Sequence, residues 1–366
     1  MSAEGEGIVP VCRACGGTDG DIVLDLGLQP PCDLFPLVTD PGPDPLFPLR
    51  MWMCASCALA QLVEDPGTRE EPAGVEPRAL TEQAADAVRA LGEAGLLREG
   101  GTVAEFGSPH GGSWLPLLCE AGMREARDGE PADLVLDCFG MMHEADQRTA
   151  MAGRAARLAP GGVVLMQFHS LASILAQRQW NALRHGHFAY YSTPAAITLA
   201  GSAGLRPGRS WTFPLYGGTV LLELGHSVEA DEKTARLATA ELATGVTAIP
   251  KVVELDREVA RSCESLRDRL ARCEKDGKRV LGYGAASRAV VLLRQAGIDT
   301  DLLPAIVDIS AGKVGRRMPA SRIPIVGPER LTVAPPDVVL LFVPDLLAEV
   351  RAAYPVLDTG CEWILT

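Results

Sequence analysis

Apolar positions along this chain keep two different periods, and the switches between them divide it. Near the N-terminus, Ile22-Val23-Leu24-Asp25-Leu26-Gly27 and Leu49-Arg50-Met51-Trp52-Met53 are short strand-like runs broken by Pro30, Pro31, Pro36, Pro41 and Pro43. That pattern predicts a small antiparallel module. A polar, proline-containing linker follows as far as Pro77, and apolar residues then return at helical spacing over 80–97. Thr102-Val103-Ala104-Glu105-Phe106 reads as a buried strand that passes through the glycine-rich turn 107–112 into a helix start at Trp114-Leu115-Pro116. Further apolar runs at 133–139 and 163–167 are separated by an alanine-rich helical stretch over 147–158 and the turn Pro160-Gly161-Gly162. Strands alternating with helices predict a parallel sheet. From 228 to 275 the pattern is long, charged and helical, which reads as a solvated spacer with acid and base at neighbouring positions. A strand at 279–282, the turn Gly282-Tyr283-Gly284-Ala285 and runs at 303–308, 323–325 and 338–344 then give a second α/β unit.

These switches divide the chain into a module over 1–65, an α/β domain over 78–226, a helical connection over 227–275 and a C-terminal α/β domain over 276–366. Its 366 residues, 47% hydrophobic, suffice for more than one core. A formal charge of −13 argues against nucleic acid or an anionic membrane as partner, since both need a basic face. The acidic first residues lack an apolar leader segment and no apolar run approaches membrane-spanning length, so the expected compartment is the cytoplasm.

Ten cysteines fall into two groups, of which only Cys12-Arg13-Ala14-Cys15 and Cys54-Ala55-Ser56-Cys57 are C-x-x-C pairs. Two such knuckles in one small module are the usual ligand set of a closed structural zinc site. A redox dithiol needs only one pair, and disulfides do not persist in the cytosol. The short apolar runs between the knuckles leave too little core to fold without the ion.

Candidate chemistry is concentrated at 184–192, Arg-His-Gly-His-Phe-Ala-Tyr-Tyr-Ser, which holds two of six histidines and two of five tyrosines. A histidine beside hydroxyl and guanidinium groups is the usual makeup of a general base with a charge stabiliser. The same composition suits an aromatic loop packed at a domain interface. A second candidate is the strand-turn-helix at 279–290, where glycine backbone can approach a pyrophosphate, Arg288 can add charge-assisted bonds, and the next strand ends in Asp308.

Taken in order, the four-cysteine knuckles with Leu26-Gly27-Leu28-Gln29-Pro30 between them, Glu105-x-Gly107, Pro160-Gly161-Gly162, His185-x-His187-x-x-Tyr190, Gly217-Gly218-Thr219 and Gly282-Tyr283-Gly284-Ala285 resemble the bacterial nucleotide-sugar C-methyltransferases over nearly the whole chain. The resemblance implies an α/β fold: an N-terminal four-cysteine zinc module, a central Rossmann-like methyltransferase domain and a C-terminal Rossmann-like domain. It implies S-adenosylmethionine as methyl donor and a dTDP-4-keto-6-deoxysugar of an antibiotic pathway as substrate. It assigns the base that removes the proton beside the ketone to His187 and gives a second family histidine as His143. Tyr190, Tyr191 and Arg184 are then candidates to hold the enolate, and Glu105, Gly107, His110 and Gly111 make up the cofactor loop. Gly282, Tyr283, Gly284, Arg288, Asp308 and Lys313 fall to the nucleotide sugar, and Cys12, Cys15, Cys54 and Cys57 to the metal.

The departures from the family pattern alter the expected chemistry. Arg184 and Gly186 replace the family's tyrosine and carboxylate before His187, Pro109 and His110 stand in the cofactor loop, and 67–77 carries no tyrosine. The interval from Gly122 to Asp133 is too short for the usual second and third strands with their helix, so the central domain is expected to be truncated and its S-adenosylmethionine site weakened or absent. The preferred reading is therefore enolisation of a 4-ketosugar without S-adenosylmethionine, as in an epimerase or tautomerase. The alternatives are a working S-adenosylmethionine-dependent sugar C-methyltransferase and a non-catalytic nucleotide-sugar-binding protein. Proton removal beside a ketone is common to the two enzymes.

Overall fold

Three sheets carry the chain in this computed structural model, which describes residues 9–67, 75–109, 111–358 and 360–366. The acidic start 1–7, the linker segment 68–74 and His110 lie outside the described residues. The first sheet is antiparallel, in the order β1 (Gly20–Gln29), β2 (Phe47–Cys54), β3 (Ala60–Leu62), β8 (Ala189–Tyr190). Its last strand comes from the candidate segment, 126 residues after β3 ends, and forms two rungs, Ala60 with Tyr190 and Gln61 with Ala189.

The second sheet is built from β4 (Thr102–Gly107), β5 (Arg124–Glu125), β6 (Ala132–Cys138), β7 (Leu158–His169), β9 (Arg206–Phe213) and β10 (Thr219–Gly225). Their order is β5-β4-β6-β7-β10-β9, with β4 to β7 parallel and β10 antiparallel to both neighbours. The expected loss of the second strand is only partly met. β5 survives as two residues pairing with Thr102 and Val103, held by Arg124 N to Gly101 O at 2.8 Å and Ala126 N to Val103 O at 2.8 Å. Its two exposed residues bury no apolar surface, so no hydrophobic run announces it. Pro160-Gly161-Gly162 lies inside β7 as an irregularity, where the register with β6 jumps from Leu158 to Val163 and Gly161 is left-handed (φ +77°); Gly162 lies so close to β6 that a Cβ would stand 2.7 Å from the Ala132 carbonyl.

The third sheet is wholly parallel, in the order β13 (Ile325–Val326), β12 (Ile306–Val307), β11 (Val280–Tyr283), β14 (Val338–Leu341), β15 (Glu362–Leu365). Between the second and third sheets the helical stretch divides into Glu232–Ala243, Ile249–Val252 and Glu254–Lys275, broken around Gly245 (φ +79°) and at Val253, with Pro250 in the first turn of the middle helix. It is more than a solvated spacer. Helix Glu254–Lys275 buries Leu255, Val259, Leu266 and Leu270 in a core shared with Val23 and Leu24 of β1, Leu171 to Tyr190 of the central segment, and Val290 and Ile306 of the C-terminal unit. Among the described residues no helix is long and apolar enough to cross a membrane.

A buried ion pair reinforces this shared packing. Arg317 makes a bidentate contact with Asp44, Nη1 to Oδ2 at 2.6 Å and Nη2 to Oδ1 at 2.9 Å, and Ala320 N donates to the same carboxylate at 2.7 Å. Both side chains are almost fully buried. Removing one partner strands the other charge in a low-dielectric interior. Arg317→Ala is expected to destabilise the chain by about 3–5 kcal/mol in denaturant unfolding; a loss below about 1 kcal/mol, the range of exposed pairs, would show that the contact does not tie the two ends together.

Candidate active site and metal centre

The two knuckles converge as the cysteine spacing predicts. Left-handed residues close the turns: Gly16 (φ +76°) donates to the Cys12 carbonyl at 2.9 Å, and Ala58 (φ +58°) to the Cys54 carbonyl at 3.0 Å. Cys12 Sγ lies 3.4 Å from Cys57 Sγ, Cys15 Sγ lies 3.6 Å from Cys54 Sγ, and all four sulfurs fall within 4.8 Å of one another. A tetrahedral zinc with bonds of about 2.3 Å needs sulfurs about 3.8 Å apart, so the four thiolates fit a closed structural zinc site. A hydrogen bond from Cys57 lowers the Cys12 thiol below its ordinary value, which eases its loss of a proton when a metal binds. Gln61 on β3 accepts from Arg13 N and donates to Val11 O, both at 2.9 Å, fastening the first knuckle to the strand that pairs with β8.

A cavity of about 260 Å³ opens where the carboxyl ends of the second and third sheets face each other. Ser108 and Gly111 reach it from the end of β4, Phe139 to His143 from the end of β6, and His169 from the end of β7. The C-terminal unit contributes Ala286 to Arg288, Lys313 and Phe342 to Leu346. Ligands of open α/β sheets bind at such carboxyl ends. Phe139 and Tyr216, two non-glycine residues held at positive φ (+59° and +55°), meet edge-to-face across it at 5.9 Å. Backbone strain of this kind clusters at functional sites.

Within the cavity, His187 and His143 meet edge-on with ring centroids 4.6 Å apart. Arg184 Nε donates to His187 Nε2 at 2.8 Å, so that nitrogen carries a lone pair. His143 Nδ1 stands 2.8 Å from the Gly186 carbonyl, which can only accept; its proton therefore sits on Nδ1, and Nε2 faces Ser108 Oγ at 3.5 Å as the acceptor. Gly186 (φ +82°) supplies that carbonyl, while its N–H donates to Asp65 Oδ2 at 2.5 Å. Three cations line the walls: Arg184, Arg288 and Lys313. Burial, with Arg184 nearby, pulls the Arg288 guanidinium down to about 10.

Not all the sequence candidates reach this cavity. Tyr190 lines it, but its hydroxyl accepts from Arg184 N at 3.0 Å and lies 3.3 Å from the Ala182 carbonyl, so the group shapes the loop. Tyr191 points to the opposite side of the chain, where its ring packs on Phe168 and its hydroxyl donates to Gln147 in the core. Glu105 is occupied by Trp114 N at 2.7 Å and Ser113 Oγ at 2.5 Å, so it orders the glycine loop in place of offering a free carboxylate. Asp308 likewise accepts from Ala285 N at 2.7 Å and Ser310 N at 2.8 Å, tying the second glycine loop to β12. Gly282 is needed for packing, since a Cβ there would lie 2.7 Å from Ile306, and Tyr283 packs on Tyr354 on the far side of the sheet. Gly284 (φ +89°) turns the chain but does not line the cavity. Arg288 and Lys313 do. Arg288 directs Nη2 to His169 Nδ1 at 3.3 Å, and Lys313 donates to the Ala285 carbonyl at 3.0 Å. Sequence reasoning missed His169, whose one signal was a polar residue closing an apolar strand.

The loop at the end of β4 suits S-adenosylmethionine. Gly111 (φ +87°) has nothing within 4 Å of where a Cβ would stand and lines the cavity, and Gly107 has only the Gly112 carbonyl, at 3.9 Å. Glu125, the last residue of β5, pairs with Val103 near the start of β4 and does not line the cavity, so no carboxylate of β5 is placed beside the glycine loop.

A sheet of this order with one antiparallel strand, facing a second Rossmann-like sheet across a cavity and preceded by a four-cysteine module, has the fold of the Rossmann-like methyltransferases. The family model described as "C-methyltransferase C-terminal domain" matches residues 214–366, and "Putative zinc binding domain" matches 12–70. The C-methyltransferase NovU of Streptomyces niveus is 27% identical over 374 aligned positions, covering 90% of this chain and 88% of NovU. These matches make the chain similar to the C-methyltransferase family over most of its length. Two solved structures share part of the fold. Magnesium protoporphyrin IX methyltransferase (ChlM) from Synechocystis PCC 6803 is 11% identical, with 41% of this chain and 84% of that chain covered at a TM-score of 0.31. An O-methyltransferase family protein from Burkholderia thailandensis is 16% identical, with 40% and 57% covered at 0.29. Likenesses this loose add nothing to what the sheet order shows.

Metal analysis of the purified chain is expected to give about one zinc per chain. Chelation is expected to alter the fluorescence of Trp52, which is buried in the same core as Cys12, Cys54 and Cys57. A metal-free chain with unchanged fluorescence would refute the structural role.

Proposed function

We propose that this chain is an S-adenosylmethionine-dependent C-methyltransferase acting on a nucleotide-linked 4-keto-6-deoxysugar. The observation that carries the reading is the pairing of His187 and His143 in a cavity that the cofactor loop and three cations also line. Isomerisation without a methyl donor, which the short interval after Gly122 suggested, loses support: β5 and the open glycine loop are retained, and the relative matched over 90% of the chain is named a C-methyltransferase.

In this reading His187 removes the proton from the carbon beside the ketone: its Nε2 lone pair accepts from Arg184 Nε, and becomes available to the C–H when that donor turns to the ketone oxygen. Arg184 is also placed to stabilise the negative charge that develops when the proton leaves. His143, in the tautomer set by the Gly186 carbonyl, presents a second acceptor at the end of β6. Held at the glycine loop by Gly107 and Gly111, S-adenosylmethionine would supply an electrophilic methyl group. Lys313 and the start of helix Ser287–Ala296 line the cavity, and this positive wall suits the diphosphate of a nucleotide sugar.

With dTDP-4-keto-6-deoxyglucose as probe, wild-type protein is expected to exchange the hydrogen beside the ketone in D₂O, and to add one methyl group by mass when S-adenosylmethionine is present. His187→Ala is expected to lower both rates by about 10² to 10⁴-fold. Exchange without methylation would restore the isomerase reading, and loss confined to His143→Ala would transfer the role of base to that residue. Lys313→Ala is expected to weaken dTDP binding in calorimetric titration by about 1.5–3 kcal/mol, the value of a hydrogen bond to a charged group. Unchanged affinity would move the nucleotide elsewhere.

A further inference from the structure

His169 ends β7 opposite Thr219 of β10 and lines the cavity while retaining only 7% of its surface. Its Nδ1 lies 3.3 Å from Nη2 of Arg288. A guanidinium has donors only, so Nδ1 must be the acceptor and the ring must be neutral with its single proton on Nε2. Burial, together with the charges of Arg288 and Arg184, acts in the same direction and holds this imidazole well below the usual histidine range. Nε2 itself has no hydrogen-bond partner, and the Tyr216 backbone is the one group that pulls the ring the other way. A buried N–H left without an acceptor is uncommon in native proteins and calls for a ligand or a function.

The surroundings hold this arrangement in place. The Tyr216 ring lies 6.4 Å from His169 and 5.6 Å beneath the Arg288 guanidinium, on a residue kept in the left-handed region. Arg288 is therefore fixed where it sets the tautomer, and Arg184, which bonds His187, is close enough for its charge to act on the His169 ring.

We infer that His169 is a further catalytic residue, whose Nε2–H holds the ketone oxygen of the substrate and the enolate oxygen that follows; Arg288 is its positioning residue. The inference rests on the reading of the site as one that enolises a ketone. When the base takes the proton, the C–H electron pair forms the carbon–carbon double bond, and the carbonyl π pair moves onto oxygen. That oxygen accepts the hydrogen bond from Nε2, and the proton stays on nitrogen. The enolate carbon is then the nucleophile to which bound S-adenosylmethionine would supply its methyl group, with the carbonyl re-forming and S-adenosylhomocysteine as the leaving group. A neutral imidazole suits this step. An imidazolium would hand its proton to the oxygen and leave an enol, a poorer nucleophile, whereas neutral imidazole stabilises the charge without quenching it.

The test uses the full zinc-loaded chain with dTDP-4-keto-6-deoxyglucose. His169→Phe is expected to lower kcat for hydrogen exchange and methyl transfer by about 10² to 10³-fold with KM little changed, the usual effect of losing one oxyanion donor. His169→Gln, which keeps an N–H, is expected to recover part of that loss. Zinc content and unfolding midpoint establish that both variants fold. Independently of turnover, ¹⁵N spectra of histidine-labelled protein are expected to show His169 as the Nε2–H tautomer from about pH 5 to pH 9, with that proton shifting when the ketosugar binds but not when dTDP alone binds. Wild-type kcat in His169→Phe, or an imidazolium or Nδ1–H form in the spectra, overturns the inference while leaving the methyltransferase reading intact. Absence of exchange in the wild type, with the tautomer as expected, overturns the reading and this inference with it.

Discussion

Two backbone rungs between β3 and β8 are what the candidate site depends on. The zinc knuckles fix the chain on either side of Cys54, β3 follows immediately, and its pairing with β8 sets the position of Tyr190. From there the consequences run backwards along the chain. Tyr190 pins the Arg184 backbone, Arg184 orients His187, and the Gly186 carbonyl sets the tautomer of His143. Leu62 N to Phe188 O at 3.1 Å and Phe188 N to Met142 O at 2.6 Å join the metal module, the site loop and the end of β6 into one hydrogen-bonded path. A metal remote from the candidate histidines would thereby act on their geometry.

Electrostatics inside the cavity oppose those of the whole molecule. The chain carries a formal charge of −13, which at long range repels a nucleotide sugar. Arg184, Arg288 and Lys313 are gathered on one small cavity where solvent screens little, so the attraction is local and confined to within about a Debye length, ~8–10 Å. Arg288 is the most constrained of them. Its low pKa reflects burial beside another guanidinium, an arrangement that an anionic ligand relieves.

How much of this the sequence disclosed depended on whether function coincided with a pattern. The cysteine knuckles were legible because metal chemistry demands residue type and spacing together. The long strands were legible because burial demands apolar runs, and the His187 segment because two histidines and two tyrosines stand within nine residues. Face was harder to read: Tyr190 and Tyr191 are adjacent and chemically alike, and only strand alternation sends one to the cavity and the other to Gln147. The polar groups at 282–284 and Asp308 looked like ligand contacts, yet their hydrogen bonds and packing are spent within the loop. β5 was hidden because a two-residue edge strand needs no hydrophobic signature. His169 was hidden because its tautomer depends on a side chain 119 residues away.

The core that joins β1, the site loop and the helices after Glu254 gives the molecule an unusual order of assembly. The first and last portions of the chain pack as one body, so the central sheet is topologically an insertion into a unit formed by the two ends. Recombination between relatives therefore cannot treat the C-terminal third as a portable cassette. A chimera that exchanges it without its N-terminal partner breaks the Arg317–Asp44 contact and mismatches a packed interface. The central sheet, by contrast, can diverge in its cofactor loops while the surrounding body stays intact, and the truncation between Gly122 and Asp133 falls on that side of the division.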